Sequence, residues 1–76
     1  MRINDESITQ GVIDELKADD NLDESTIAVA VTDGIVHLVG TVPTGADRSD
    51  AEADAKKARG VQRVINDLRV VTEIAR

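Results

Sequence analysis

Asp33-Gly34 stands between two runs in which larger apolar residues alternate with small or polar ones, and this pattern restricts the fold more than any other feature of the chain. A two-residue primed turn needs positive φ at both central positions, which Asp tolerates and Gly adopts without strain. The pattern therefore predicts a hairpin with strands over 26–32 and 35–42. On the first strand Ile27, Val29 and Val31 point one way, and Ala28, Ala30 and Thr32 the other. On the second, Val36, Leu38, Gly40 and Val42 share one face, and Ile35, His37, Val39 and Thr41 share the opposite one. Pro43 ends the strand because it cannot donate to a ladder.

A lone hairpin is marginal in water, so its apolar face needs a cover. Residues 5–19 predict a helix with Ile8, Val12, Ile13 and Leu16 on one face, capped by Asn4, Asp5 or Ser7 and weakened by Gly11. A polar loop follows over 19–25, with Leu22 as its apolar anchor. After Pro43, either Thr44 with Asp47 or Ser49 with Glu52 supplies a capping box for a second helix. Ala51, Ala55 and Ala58 form its apolar stripe, and Gly60 is expected as its C-cap. Residues 61–71 predict a third strand with Val64, Asn66, Leu68 and Val70 toward the helices. The expected fold is α+β, in the order helix-strand-strand-helix-strand, with both helices on one face of a three-stranded sheet. Gly40 is expected to lie beneath the second helix, close to Ala51 or Ala55. One domain is expected over 1–76, with its core over about 5–71.

The chain has 76 residues, a formal net charge of −6 and no Phe, Tyr or Trp. Acidity argues against non-specific nucleic-acid binding, which needs cations to displace phosphate counterions. The missing aromatics remove base stacking too. No cysteine is present, which excludes disulfides and thiolate metal sites. No run approaches the roughly 18 apolar residues of a membrane span. Met1-Arg2-Ile3-Asn4-Asp5 lacks the apolar run of a signal peptide, so either a cytoplasmic protein or an excised domain is expected.

No catalytic constellation emerges. His37, the single histidine, falls on the outer sheet face and has no nucleophile placed beside it by the pattern. Asp19, Asn21 and Asp23 match the first three ligand positions of a calcium loop. The turn position holds Glu24, however, and the twelfth holds Ala30, so no metal site is expected. Gly34, Gly40 and Gly60 fit no phosphate-loop spacing and are read as structural. Charge is uneven: residues 1–40 hold nine acids and two bases, and residues 41–76 six acids and seven bases. Lys56, Lys57, Arg59, Arg63 and Arg69 are the candidate contacts for lipid headgroups or an acidic partner. Three of them also suit the negative end of a helix dipole. The outer sheet face, with Ala28, Ala30, Ile35, Val39, Ile65 and Val71, is the candidate protein interface.

The whole series resembles the BON domain, named for bacterial osmotically inducible and nodulation proteins. Asp5, Ile8, Val12 and Leu16 carry the resemblance in the first helix. It continues through Ile27-Ala28-Val29-Ala30-Val31 and then the most diagnostic stretch, from Asp33-Gly34 through Val36, His37, Leu38 and Gly40 to Val42. Ala51 and Ala55 in the second helix and Gly60 through Val70 complete it. The resemblance covers about 5–71. It implies a mixed sheet, no shared catalytic residues, no cofactor and a periplasmic, envelope-associated role with phospholipid as the usual ligand. The alternative is a protein-interaction or self-association module using the outer sheet face.

Overall fold

At the hairpin, Asp33 has φ 52° and Gly34 φ 80°, the pair of positive values that a type I′ turn demands. The computed structural model describes residues 4–71. The turn joins β1 (Ile27–Thr32) to β2 (Ile35–Val42) in antiparallel register, with Val29 opposite Leu38 and Val31 opposite Val36. Helix α1 (Asp5–Ala18) precedes the hairpin, and α2 (Gly45–Lys57) carries the chain back to β3 (Arg63–Val70). β3 runs parallel to β2, so the sheet is mixed, in the order β1-β2-β3. The outer ends of the expected 1–76 range lie outside the described residues.

Each helix begins where its capping residue allows. Asn4 accepts a hydrogen bond from Ser7 N at 2.8 Å, and Thr44 Oγ1 accepts one from Asp47 N at 3.0 Å, satisfying free first-turn donors. Both helices bury their stripes against one sheet face. Ile8, Val12 and Leu16 from α1 meet Val36, Leu38 and Val42 from β2, with Ala51 and Ala55 from α2, Ile27 and Leu68 closing the cluster. Asp5 adds a lock that sequence spacing does not reveal. Its two carboxylate oxygens accept from Asp33 N and Gly34 N at 3.0 and 3.1 Å, joining the first turn of α1 to the hairpin tip.

Four expectations need correction. Gly40 is required by a contact closer than any helix approach. Its φ is 139°, and a Cβ there would strike the Thr26 carbonyl oxygen and crowd the main chain of Ile27. The glycine is required because β2 closes tightly on the start of β1. The close approach of small residues lies instead between the helices, where a Cβ on Gly11 would sit 3.4 Å from Ala58 Cβ. Gly60 is not the C-cap of α2. The helix stops at Lys57, and Ala58 is already extended at φ −68°, ψ 141°, because its methyl is drawn into the core. Gly60, at φ 89°, then turns the chain toward β3. Val70, expected toward the helices, stays 45% exposed at the end of the edge strand β3. Finally, the 19–25 loop is not wholly irregular: Glu24–Thr26 form a 3₁₀ turn capped by Asp23.

Replacing Gly40 by Val is expected to lower stability by on the order of 1–3 kcal/mol, through positive-φ strain and collision with the strand. Gly45→Ala is its control. Gly45 has open space around its Cβ position and no positive φ, so gaining about 0.4–1 kcal/mol is expected. Thermal melts of both variants check the pair. An unchanged melt for Gly40→Val would show that the strands do not close there.

Candidate functional site

With both helices on one side, the outer sheet face is left uncovered by the described residues. The register builds it in cross-strand rows: Thr32, Ile35 and Arg63; Ala30, His37 and Ile65; Ala28, Val39 and Asp67. Thr41 and Arg69 form the last pair, and Val39 in the middle is 50% exposed. β1 and β2 contain no Asp, Glu, Lys or Arg. All three charges of β3 sit at odd positions and therefore share this face: Arg63, Asp67 and Arg69. The remaining described residues carry thirteen acids against five bases. An acidic domain thus presents one face on which cations outnumber acids.

The five candidate cations do not form one cluster. Lys56 is paired with Glu52 at 3.2 Å, and Lys57 with Asp54 at 3.5 Å, both within α2. Arg59 is exposed in the turn after that helix. Arg63 and Arg69 are exposed on the opposite side of the domain, six residues or roughly 20 Å apart along one strand. The lysines belong to the helix layer and the two β3 arginines to the open sheet face.

Arg48 and Asn66 hold a structural role that sequence reading missed. Arg48 donates from Nε to Leu68 O at 2.9 Å and from Nη2 to Asn66 O at 2.8 Å. Asn66 returns a bond from Nδ2 to Arg48 O at 2.9 Å, and its Oδ1 accepts from Leu68 N at 3.1 Å. Asn66 also donates to Glu52, which holds that carboxyl below its ordinary range, with Lys56 adding to the effect. The outward carbonyls of Asn66 and Leu68 and the Leu68 amide are thereby satisfied. The signal in the sequence was a single polar residue at an inward position of an apolar strand.

Three hollows flank the helix layer, one of about 500 Å³ lying between Asp5, Ile8, Gly34, Gly60 and Gln62. A shallow cleft of about 400 Å³ is lined by Leu22, Val42, Pro43 and Val71, with Asp23 and Asp47 at its rim. A smaller hollow of about 350 Å³ lies between Glu15, Asp19, Asp20, Asp54 and Lys57. Asp54 is only 7% exposed, and its Oδ2 has no hydrogen-bond partner. Burial, and then the neighbouring Asp19 carboxylate, push the Asp54 pKa up to about 6. Asp19 moves the other way, because the Asp54 carboxyl and then Asn21 N–H hydrogen-bond to its charged form. The two carboxyls line one hollow between the end of α1 and α2, and each alters the titration of the other. Positions 51, 54, 55 and 58 follow helical spacing, so the placement of Asp54 beside the Ala stripe was present in the sequence but unread.

A mixed three-stranded sheet with two helices on one face, an open outer face and no titratable dyad on that face defines a small αββαβ module. The chain belongs to the BON domain family, which matches residues 4–72. It is similar to the Osmotically-inducible protein Y of Escherichia coli (strain K12), at 40% identity over 65 residues. That stretch covers 86% of this chain and 32% of the relative, so the chain spans about a third of that protein's length.

The raised Asp54 pKa makes a directional pH prediction. Asp54 has a folded pKa raised above its unfolded value of 3.8, so its contribution is full below pH 3.8. It is lost as pH rises toward about 6. Asp54→Asn keeps the shape and supplies an amide donor to Asp19 at any pH. It is expected to raise stability at pH 7.5 by on the order of 1 kcal/mol, or about 4–8 °C in Tm, and to flatten the Tm change between pH 5 and 7.5. An Asn variant that melts below the wild type at pH 7.5 contradicts the reading that ionising the buried Asp54 carboxyl costs stability.

Proposed function

We propose that this domain is a non-catalytic binding module of the bacterial envelope that meets anionic phospholipid through its outer sheet face. The observation that carries the reading is the segregation of charge. Acids crowd the helices and loops, while the uncovered face presents Arg63 and Arg69 around Val39, Ile65, Ala28 and Ala30, with Asp67 the one acid. Flat, mildly apolar and flanked by guanidinium groups, this face is the one on which a phosphate-bearing surface meets least repulsion. The cleft beside Leu22 is a poorer place for an anionic headgroup, because Asp23 and Asp47 stand at its mouth.

Family membership supports a phospholipid ligand and a periplasmic setting. The name of the Escherichia coli relative supports a link to osmotic stress. His37 is flanked across the sheet by Ala30 and Ile65, neither of which is a nucleophile or an orienting acid. This supports binding without catalysis, and no cofactor is called for.

Each cation near an anionic surface contributes about 1 kcal/mol, so the two arginines give only about 2 kcal/mol at low salt. One copy should bind weakly and lose its hold near physiological ionic strength, where the Debye length is about 8 Å. The test is flotation with phosphatidylglycerol vesicles over a salt series. Arg63→Glu with Arg69→Glu is expected to abolish low-salt binding, and Lys56→Glu with Lys57→Glu to leave most of it. Equal loss from the lysine pair would move the contact to the end of α2. Absence of binding at the lowest salt would remove the lipid reading.

A further inference from the structure

The two edges of the sheet are finished differently. The middle of the β3 edge is covered by Arg48 and Asn66, which occupy the carbonyls of Asn66 and Leu68 and the amide of Leu68. β1 has no such cover. Among the described residues, its one main-chain bond outside the β1–β2 ladder is Ile27 N–H to Glu24 O, at the strand's first residue. From Ala28 to Thr32 the outward donors and acceptors meet no group of the described residues. β1 also lacks the devices that usually blunt an edge: it contains no charge, no proline and no glycine.

We propose that β1 pairs antiparallel with β1 of a second copy of this chain, about a two-fold axis at Val29. The occupant is read from the strand itself. Ile27-Ala28-Val29-Ala30-Val31 alternates large and small in the same way in both directions. An antiparallel partner centred on Val29 places Ile27 opposite Val31, Ala28 opposite Ala30, and Val29 opposite itself. Every pair is apolar and size-matched, and no pair sets like charges face to face. Val29 and Val31 are only half-buried against the core, and the second copy continues that core across the axis.

The axis stands perpendicular to the sheet, so both outer faces point the same way. Two three-stranded sheets become one of six strands, with four helices behind it and two copies of Arg63 and Arg69 in front. The pairing stands on the edge geometry and does not depend on lipid. If the membrane reading also holds, pairing adds avidity to a contact that is weak in a single copy. Salt separates the two events. Lipid attachment weakens with salt, whereas pairing of two chains of net charge −6 strengthens as their repulsion is screened.

Sedimentation equilibrium of the whole chain, without lipid, tests the proposal. The expected result is a monomer–dimer equilibrium that tightens between low and moderate salt. Ala28→Lys with Ala30→Lys places lysines opposite lysines in the proposed register, while both positions are exposed in the single copy. That variant should melt like the wild type and dimerise at least about tenfold more weakly. Mixing it with Ala28→Glu plus Ala30→Glu should restore association as a heterodimer. A wild type that stays monomeric to about 1 mM overturns the proposal. So does a dimer indifferent to the lysine pair, or a lysine–glutamate mixture that fails to associate.

Discussion

β2 is hydrogen-bonded along both edges, antiparallel to β1 and parallel to β3, while Val36, Leu38 and Val42 on its inner face are buried beneath both helices. The rest of the domain depends on that strand keeping its register. A slip of one residue would send Val36, Leu38 and Val42 to solvent and bring Ile35, His37, Val39 and Thr41 inward. The type I′ turn fixes the register with β1, and Asp5 anchors the turn to α1. The chain has no aromatic residue to fill volume, so its core closes by proximity. Gly11 and Ala58 let the helices approach, and Gly40 lets the strands do so. Small residues at the crossings are the means by which an aliphatic core of this size reaches close packing.

Placing both helices on one face has an electrostatic consequence. The helices carry most of the acids, and the hairpin strands carry none, so the layers differ in sign as well as in polarity. Average charge then misdescribes the molecule. A net −6 would repel an anionic surface from most directions, yet the exposed charges of the sheet face are two arginines and one aspartate. Strand alternation produces this arrangement, because Arg63, Asp67 and Arg69 are separated by even numbers of residues.

Polar groups inside the domain fall into two kinds. The Arg48–Asn66–Glu52 network is satisfied by protein partners and closes an edge. The Asp54–Asp19 pair sets one buried carboxyl beside a second, so its cost grows as pH rises toward about 6, whereas the Glu52 contact weakens only under acid. The first stiffens the join of α2 to β3. The second makes the join of α1 to α2 conditional.

Sequence periodicity and turn chemistry were enough for the hairpin, both helices, the third strand and the family. These depend on local rules: positive φ at Asp33-Gly34, alternation through Ile27–Val42, capping at Asn4 and Thr44, and stripes at Ile8, Val12 and Leu16 or Ala51 and Ala55. Gly40 was legible as necessary but not for its reason, because its neighbour Thr26 is fourteen residues away and meets it only when the hairpin closes. Five cations close in sequence looked like one cluster. The turn through Gly60 carries the chain from the helix layer to the sheet, and so places Lys56 and Lys57 on one side and Arg63 and Arg69 on the other. The meeting of Asp19 with Asp54 and the bonds from Arg48 to β3 likewise join residues far apart in the chain. The sequence determined the elements because backbone sterics and apolar periodicity act over a few residues. Which charges share a surface, which edge remains open and which carboxyl is buried were decided only when those elements packed, because burial and Coulomb interactions depend on distance in space.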